Sequence, residues 1–208
     1  MRFSVIIPAH NSEKFISKAL DSIKNQSFRD FELIVVCDRC TDSTKAVAES
    51  YGAKTLEVDF GRDGLSRNAG LDVAWGEYVL YLDHDDYYLH EFVFEEINRK
   101  LKQENDPELL CCSFIWKGIG YTRPIAKNGE LLPNVWSKAW QRKWVADTRF
   151  TDVYSISDYY FCKEMEKKPH RTVIFDFPIV YYNYLFEGSI SKAMGRNIEG
   201  TKRAWRID

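Results

Sequence analysis

The chain has 208 residues, of which 45% are apolar and 15% aromatic, so it is long enough to bury the core of one globular domain. Its formal net charge of −2 excludes a strong overall field that would recruit nucleic acid or an acidic membrane surface. No segment approaches the roughly 20 apolar residues that a membrane-spanning helix requires, and the first residues predict a strand, not a signal peptide. Five cysteines without a secretory signal predict reduced thiols and a cytoplasmic location.

The first half of the chain alternates apolar runs with amphipathic segments. Runs rich in β-branched residues predict strands at 3–7, 31–36, 54–58 and 78–82, and Pro8 is expected to end the first of them. Apolar residues at helical spacing, together with capping residues, predict helices near 15–23, 41–48, 65–74 and 89–102, with a loop at 59–64 before the third. This alternation is typical of an α/β fold with a doubly wound, mainly parallel sheet.

The second half is less regular. It predicts a strand at 109–116, a loop or hairpin at 117–133, and short strands at 173–174 and 179–184. Trp136, Trp140 and Trp144 lie at helical spacing, so we expect a helix over 135–145 with these rings as its packing surface. Several lysines and arginines follow at 188–208.

Three carboxylates, Asp83, Asp85 and Asp86, follow the buried strand predicted at 78–82. Like charges raise the cost of ionising one another, so the cluster is expected at a strand end that solvent or a ligand reaches. Hard cations such as Mg²⁺ or Mn²⁺ bind carboxylate oxygens and are often shared with phosphates. A simple turn would explain one aspartate but not three, and Tyr88 occupies the sixth position, where a calcium loop needs glycine.

Other common motifs are absent or weak in this sequence. It contains neither the G-x-G-x-x-G fingerprint nor a G-x-x-x-x-G-K-[ST] phosphate loop, which disfavours dinucleotide binding and P-loop chemistry. Cys37 and Cys40 form a lone C-x-x-C, a weak signal for a metal or redox site. We interpret the cysteines as core residues, with this pair at most lining a site.

Four motifs in order resemble the family 2 glycosyltransferases of the GT-A fold: SVIIPAHN at 4–11, LIVVCDRCTD at 33–42, SRNAG at 66–70 and LDHDD at 82–86. A weaker resemblance continues through 135–138, 157–158 and 188–191. The resemblance implies that a hexosyl group is moved from a nucleotide diphosphate donor to an acceptor, with inversion at the anomeric carbon. Residues 1–105 would then bind the nucleotide-sugar, and residues 106–208 would form the acceptor half and the basic tail.

Donor-binding residues carried over from the resemblance are Pro8, Ala9, His10, Asn11, Asp38, Arg67 and Asp83. The first four would pack along the base and ribose. Asp38 would accept from the imide N–H of the base, which favours uracil or thymine, although the family usually has Asp-Asp-Gly-Ser-Thr-Asp where this chain has CDRCTD. Arg67 would bind phosphate or stack on the base, or else be a surface helix residue. Asp83 would bind the ribose or reach the metal through water.

The resemblance also implies a metal site and a general base. Asp85 would bind Mn²⁺ or Mg²⁺ directly, with Asp83 and Asp86 supporting it. The base that takes the proton of the acceptor hydroxyl would be Asp158, from a pair in which Ser157 replaces the usual glutamate. Asp152 is a competing candidate, and Asp158 could also be a helix N-terminal residue that the helix dipole favours.

The acceptor is the least determined part of the function. Family habit implies a saccharide, a glycolipid or another hydroxyl compound used in surface polysaccharide synthesis on the cytoplasmic side, with peripheral membrane contact at most. The basic tail could contact a lipid phosphate, a polysaccharide or a nucleic acid backbone, although such charge is more often a solvated face. Two alternatives stay open: a nucleotide-sugar-binding protein whose catalysis has decayed, and a nucleotidyltransferase.

Overall fold

The structure, a computed structural model, describes residues 1–126, 128–154 and 156–183. These residues form nine strands and six helices. The basic tail at 188–208 and the motif at 188–191 lie outside the described residues. The described part contains no helix that is long and apolar enough to cross a membrane.

The strands join in one mixed sheet. They are β1 (Phe3–Ala9), β2 (Phe31–Asp38), β3 (Lys54–Val58), β4 (Tyr78–Tyr81), β5 (Tyr87–Tyr88), β6 (Leu109–Trp116), β7 (Gly120–Thr122), β8 (Lys138–Gln141) and β9 (Thr172–Tyr182). Their order is β3-β2-β1-β4-β8-β6-β9-β5, with β7 paired to β6. The first four are mutually parallel, whereas β8 runs antiparallel to both β4 and β6. The sheet therefore runs across the division predicted between residues 105 and 106, and the place of that division stays a prediction.

The described residues contain six helices, and the first four lie close to where the periodic apolar residues of the sequence predict them. They are α1 (Ile16–Lys24), α2 (Thr44–Ser50), α3 (Asp63–Asp72), α4 (Val93–Gln103), α5 (Arg142–Val145) and α6 (Ser157–Glu166). In α1 the residues at helical spacing are the buried ones: Ile16, Ala19, Leu20 and Ile23. The helix predicted at 65–74 begins two residues earlier, at Asp63, so this carboxylate belongs to a helix and not to the preceding loop.

The core lies on both faces of the parallel part of the sheet. Alternate side chains of β1 point to opposite faces, so Val5 and Ile7 join one apolar cluster while Ile6 joins the other. A strand buried on both faces is typical of a parallel sheet that helices cover on each side. The predicted α/β fold with a mainly parallel central sheet is confirmed.

Pro8 does not end the first strand, contrary to expectation. β1 continues to Ala9, and Pro8 is buried opposite Val36 of β2. Pairing with β4 stops at Ile6, so beyond that point β1 has a partner strand on one side only. A proline, which lacks an N–H, is tolerated in such a one-sided stretch.

The prediction of a helix over 135–145 is wrong. Lys138–Gln141 forms β8, which fills the gap between β4 and β6, and only Arg142–Val145 is helical. Pairing with two neighbouring strands overrides the helical spacing of the three tryptophans. As a result Trp136 and Trp140 join different core clusters, and Trp140 stacks on Trp144 with ring centroids 5.9 Å apart.

Two further expectations need smaller changes. The separate late strands at 173–174 and 179–184 are one strand, β9, in which a bulge opposite Cys112 and Ser113 interrupts the pairing with β6. The segment 117–133 contains a hairpin, as predicted, because β7 turns back on β6. The carboxyl ends of β1, β2 and β4 meet at one edge of the sheet, where ligands bind in open α/β sheets.

Candidate functional site

The acidic turn, residues 83–86, lies at this edge directly after β4. The Asp86 N–H donates to the Asp83 carbonyl at 3.1 Å, which closes the turn. The Asp83 carboxylate accepts from Arg67 Nη2 at 2.7 Å. Asp85 is half-buried, and burial followed by the nearby charge of Asp83 raises its pKa to about 7. The sheet edge therefore holds three aspartates in a small, poorly solvated space.

Asp86 faces inward. It is fully buried, its Oδ1 accepts from the Asn183 N–H at 2.7 Å, and its Oδ2 has no hydrogen-bond partner among the described residues. Burial, and then the charges of Asp85 and Asp83, raise its pKa well above the ordinary range. Asp86 thus joins the acidic turn to the end of β9, which makes it a support for the turn more than a group that faces solvent.

The residue types of the acidic turn are compatible with the predicted divalent cation. The turn offers hard carboxylate oxygens, two carboxyl groups with raised pKa values and one buried oxygen that has no hydrogen-bond partner among the described residues. Among the described residues no three acidic, histidine or cysteine side chains converge into a group that could hold a metal alone. Mg²⁺ commonly takes only one or two carboxylates and completes its shell with phosphate and water. Asp85 with Asp83 could supply that share, and the metal stays a prediction.

Asp38, at the end of β2, holds the loop that leads into α3. Its Oδ1 accepts from the N–H groups of Phe60 and Gly61, and its Oδ2 accepts from the Arg62 N–H and the Ser66 hydroxyl. Burial alone would raise the pKa of Asp38, but these four bonds lower it. A carboxylate has about four acceptor positions, so all of them are in use. The contact with the base stays a prediction, and binding it would require one internal bond to be exchanged.

The segment after β1 lies against the segment after β2. His10 Nδ1 is 2.7 Å from the Asp38 carbonyl oxygen, and the Asn11 side chain accepts from the Thr41 N–H at 2.8 Å. Both residues are exposed, whereas Pro8 and Ala9 are buried in β1. Asp42 caps α2 by accepting from Thr44, as expected for a turn-forming aspartate. Among the residues predicted for the nucleotide loop, His10 and Asn11 therefore face the open edge.

Arg67 is the cation at the centre of the site. It is only 3% exposed, and its guanidinium contacts three carboxylates: Asp63 at 2.5 Å, Asp83 at 2.7 Å and Asp158 at 3.2 Å. Burial would lower its pKa, but these charges raise it well above the ordinary value, so Arg67 stays ionised. We call Arg67, Asp63, Asp83, Ser157 and Asp158 the Arg67 cluster. Arg67 is thus an internal partner for carboxylates from three parts of the chain.

Asp158 reaches the same edge from the start of α6. Its Oδ1 contacts Arg67, its Oδ2 accepts from the Val135 N–H at 3.3 Å, and its side chain is 21% exposed. Burial raises its pKa to about 6 even though Arg67 opposes the shift. Asp152, the competing candidate, is 67% exposed and pairs with Arg62 at 3.1 Å, outside the Arg67 cluster. The geometry therefore favours Asp158 as the group that could accept a proton near neutral pH.

Sequence reasoning missed Asp63. Its Oδ2 accepts from Arg67 and from the Ser157 hydroxyl, the latter at 2.9 Å. The available signal was the spacing: Asp63 and Arg67 are four residues apart, the separation at which opposite charges meet on a helix. Because the sequence predicted a loop at Asp63, the four-residue spacing did not indicate that the two side chains would meet.

The cysteines form no disulfide. All five lie in the described residues as free thiols, and four are buried. Burial raises the pKa of Cys37 to about 12 and that of Cys111 to about 11, so these thiols are poor nucleophiles and poor metal ligands near neutral pH. The interpretation of the cysteines as core residues is confirmed for the buried ones. The Cys40 Sγ lies 3.4 Å from the Ala9 carbonyl oxygen, beside the segment 8–11 that is predicted to pack along the nucleoside.

Comparison with known proteins gives a consistent result. A family model described as glycosyl transferase family 2 matches residues 4–174. Poly(ribitol-phosphate) beta-N-acetylglucosaminyltransferase TarS of Staphylococcus aureus is 44% identical over 95 residues, which are 42% of this chain and 17% of TarS. Poly(ribitol-phosphate) beta-glucosyltransferase of Bacillus spizizenii is 36% identical over 115 residues, which are 51% of this chain and 18% of that protein. The chain therefore spans less than a fifth of either relative.

Solved structures agree on the architecture. The crystal structure of S. aureus TarS 1–349 in complex with UDP-GlcNAc matches with a TM-score of 0.80 and 25% identity, covering 93% of this chain and 61% of that one. A mannosyltransferase from Pyrobaculum calidifontis, in complex with GDP-Man and Mn²⁺, matches with a TM-score of 0.70 at 19% identity. The match covers 90% of this chain and 58% of the mannosyltransferase chain. The second likeness supports the fold alone, and both support the predicted GT-A architecture.

Proposed function

Since the chain belongs to glycosyl transferase family 2, we propose that it transfers a hexosyl group from a UDP-sugar to an acceptor hydroxyl with inversion. One observation carries the proposal: Asp83 of the donor motif and Asp158 of the acceptor half meet at the same buried guanidinium. The resemblance assigns these aspartates to donor binding and proton removal, two roles that must be adjacent for transfer. The fold brings them together from positions 75 residues apart in the chain.

Asp158 is the proposed general base. A base that works near neutral pH needs a pKa close to the working pH, and burial raises that of Asp158 to about 6. It takes the proton of the acceptor hydroxyl while the oxygen attacks the anomeric carbon from the side opposite to the nucleotide. The Val135 N–H and Arg67 hold its carboxylate in place during this step.

The acidic turn is the proposed binding site of the diphosphate. Asp85, with Asp83, would hold Mn²⁺ or Mg²⁺, and Asp86 supports the turn from inside through Asn183. When bound, the metal supplies positive charge to the phosphates and to the leaving group. His10 and Asn11 would line the nucleoside, and Asp38 shapes the loop at 60–62 that closes the opposite side.

UDP-GlcNAc is the first donor to test, because the TarS 1–349 structure that this chain matches is a complex with it. The names of the two curated relatives indicate a polyol phosphate chain as their acceptor. A saccharide or polyol phosphate acceptor is therefore the proposal for this chain. Its cytoplasmic location, and any peripheral contact with a membrane, stay predictions.

The test is release of UDP from UDP-GlcNAc in the presence of Mn²⁺, with a free hexose or a polyol phosphate as acceptor. We expect release by the wild-type protein and by Asp72→Ala, a control on the exposed end of α3 whose carboxylate pairs with Arg149. Asp158→Asn should bind UDP as the wild type does but release it far more slowly. Calorimetry with UDP measures that binding.

A decayed, binding-only protein is the second candidate, because Ser157 stands where the family usually has glutamate. Tight UDP binding without release from any donor would favour it. If the wild-type protein binds no nucleoside diphosphate at all, the proposed function is wrong.

A further inference from the structure

The guanidinium of Arg67 is shared unequally between its partners. Nη1 lies 2.5 Å from Asp63 Oδ2 but 3.2 Å from Asp158 Oδ1 and 3.4 Å from the Ser157 hydroxyl oxygen. Nη2 is taken by Asp83 at 2.7 Å. Charge-assisted hydrogen bonds of this type are typically about 2.7–2.9 Å long. Nη1 therefore bonds mainly to Asp63, and its contact with Asp158 is longer and weaker.

Asp63 is itself fixed by both helices. Its Oδ2 accepts from Arg67 of its own helix and, at 2.9 Å, from Ser157 at the start of α6. The neighbouring Gly64 permits this contact, since a Cβ at that position would lie 3.0 Å from the Cβ atoms of Phe150 and Ser157. The two helices therefore meet closely just where the Asp63 carboxylate bridges them.

We propose that Asp63 is a positioning residue for the proposed base. By occupying Nη1 of Arg67 together with Ser157, it prevents the Asp158 carboxylate from closing onto the guanidinium and leaves an Asp158 oxygen available to an incoming hydroxyl. This inference rests on the proposed function, and it assigns a role to a residue outside the motifs that define the site. It also explains how the site functions with serine at 157: the carboxylate that reaches Arg67 beside Asp158 comes from α3.

The physical reason is competition for one donor. Without Asp63, Nη1 would have Asp158 as its nearest carboxylate, and the two would form a tight pair. A carboxylate in such a pair has fewer free acceptor positions and is a weaker base. A displacement of about 1 Å at a reacting group can cost on the order of 100-fold in rate.

Four variants test the proposal. Asp63→Ala removes the bridge, and Asp63→Asn keeps its shape while removing its charge. Asp63→Ala combined with Ser157→Asp moves the carboxylate to α6 with little change in buried volume, at a position whose oxygen already lies 3.4 Å from Nη1. Asp72→Ala, on the same helix but paired with exposed Arg149, is the matched control.

We expect Asp63→Ala to lower the kcat of UDP release from UDP-GlcNAc by roughly 10- to 100-fold. The Kd for UDP should stay within about 2-fold of wild type, because the bridge does not form the donor site. The combined variant should recover most of the lost kcat, whereas a role limited to helix packing would not be rescued by moving the charge. Asp72→Ala should match the wild type.

A crystal structure of Asp63→Ala gives a second readout that needs no activity. The distance from Arg67 Nη1 to Asp158 Oδ1 should shorten from 3.2 Å to about 2.8 Å. If that variant does not fold, Asp63→Asn is used; its neutral amide oxygen holds Nη1 more weakly than a carboxylate does, so a smaller shortening in the same direction is expected. An unchanged distance, or a kcat for Asp63→Ala equal to that of the control, overturns the proposal. A wild-type protein that binds no UDP would instead overturn the proposed function, while the distance would still show whether Asp63 keeps Asp158 away from the guanidinium.

Discussion

The two acidic regions at the sheet edge differ in what balances their charge. In the Arg67 cluster, three carboxylates surround a buried guanidinium that stays ionised. Asp85 and Asp86 form no ion pair with any described residue. Burial raises the pKa of both, with a further contribution from Asp83 to Asp85 and from Asp85 and Asp83 to Asp86. The comparison teaches that the carboxylates around Arg67 have their counter-charge within the protein, whereas Asp85 and Asp86 have no cationic partner among the described residues.

This difference suits the two steps of the proposed reaction. A base must be held in position before the acceptor binds, because preorganised groups need no rearrangement during the reaction. In the proposed reaction a diphosphate would instead bring its cation into the acidic turn. Asp83 belongs to both regions, since it lies in the turn and bonds Arg67.

The largest expected effect is that of Asp158→Asn, which removes the base but keeps the shape of the Arg67 cluster. Loss of a general base typically lowers the rate by about 10²- to 10⁴-fold. Single-turnover measurement of UDP release, with calorimetry for UDP, checks this. Reduced UDP affinity with an unchanged rate would place Asp158 on the donor side and break the comparison.

Arg67→Met should destabilise the protein strongly, because three carboxylates would lose their shared cation. Removing one partner of a buried ion pair costs about 3–5 kcal/mol. Urea unfolding measures the free energy of unfolding. The control is Arg149→Met, which breaks an exposed pair with Asp72 and should cost under about 1 kcal/mol. Equal losses for the two variants would mean that the cluster is not held by its cation.

Asp85→Asn should weaken UDP binding in the presence of Mn²⁺ and leave metal-free binding nearly unchanged. The proposed metal would neutralise charge on the diphosphate, so chelation should lower the UDP affinity of the wild type by more than about 10-fold. Calorimetry with and without a chelator measures both effects, and Glu95→Gln on the exposed face of α4 is the control. Affinity that does not respond to the metal would show that the acidic turn has another partner.

The rate of UDP release should fall about tenfold per pH unit below pH 6, because the base acts only when ionised. Burial raises the pKa of Asp158 to about 6, while Arg67 opposes the shift and Asp83 and Asp63 add to it. A pH profile of kcat between about 4.5 and 8 measures the acidic limb. A limb near pH 4, the ordinary range for aspartate, would mean that Asp158 is not the base or is better solvated than its burial indicates.

Gly64→Ala should have the smallest effect. Alanine favours a helix by about 1 kcal/mol over glycine, but the added Cβ would lie 3.0 Å from Phe150 and Ser157 Cβ atoms and 3.3 Å from the Thr151 carbonyl oxygen. Overpacking costs about 1–3 kcal/mol, so a small net loss of stability is expected in thermal unfolding. A net gain would mean that the two helices separate easily and that the Asp63 bridge is loose.

Local patterns were enough to predict the first half of the fold. Its four longer strands and its four helices lie close to where apolar runs and helical spacing predict them, because each buries a face that its own sequence encodes. The short strand β5 and the continuation of β1 through Pro8 were not predicted. The second half was harder to predict. Residues 138–141 form a strand because they pair with β4 and β6, although the tryptophans of the segment 135–145 have helical spacing. Its partners lie far away in the chain, so no local pattern could indicate the pairing.

The sequence by itself was enough to predict the family, the α/β fold and which aspartates are candidate site residues, those that follow β4 and the one in the first turn of α6. Only the tertiary structure decided which charges meet. It placed Arg67 among carboxylates from α3, the acidic turn and α6, and it gave Asp38 four internal donors. It also placed Asp63, predicted in a loop, in α3, where it bridges Arg67 and Ser157. The physical reason is that a residue type fixes what a side chain can bond to, while its pKa and partners depend on burial and on charges that folding brings from distant positions.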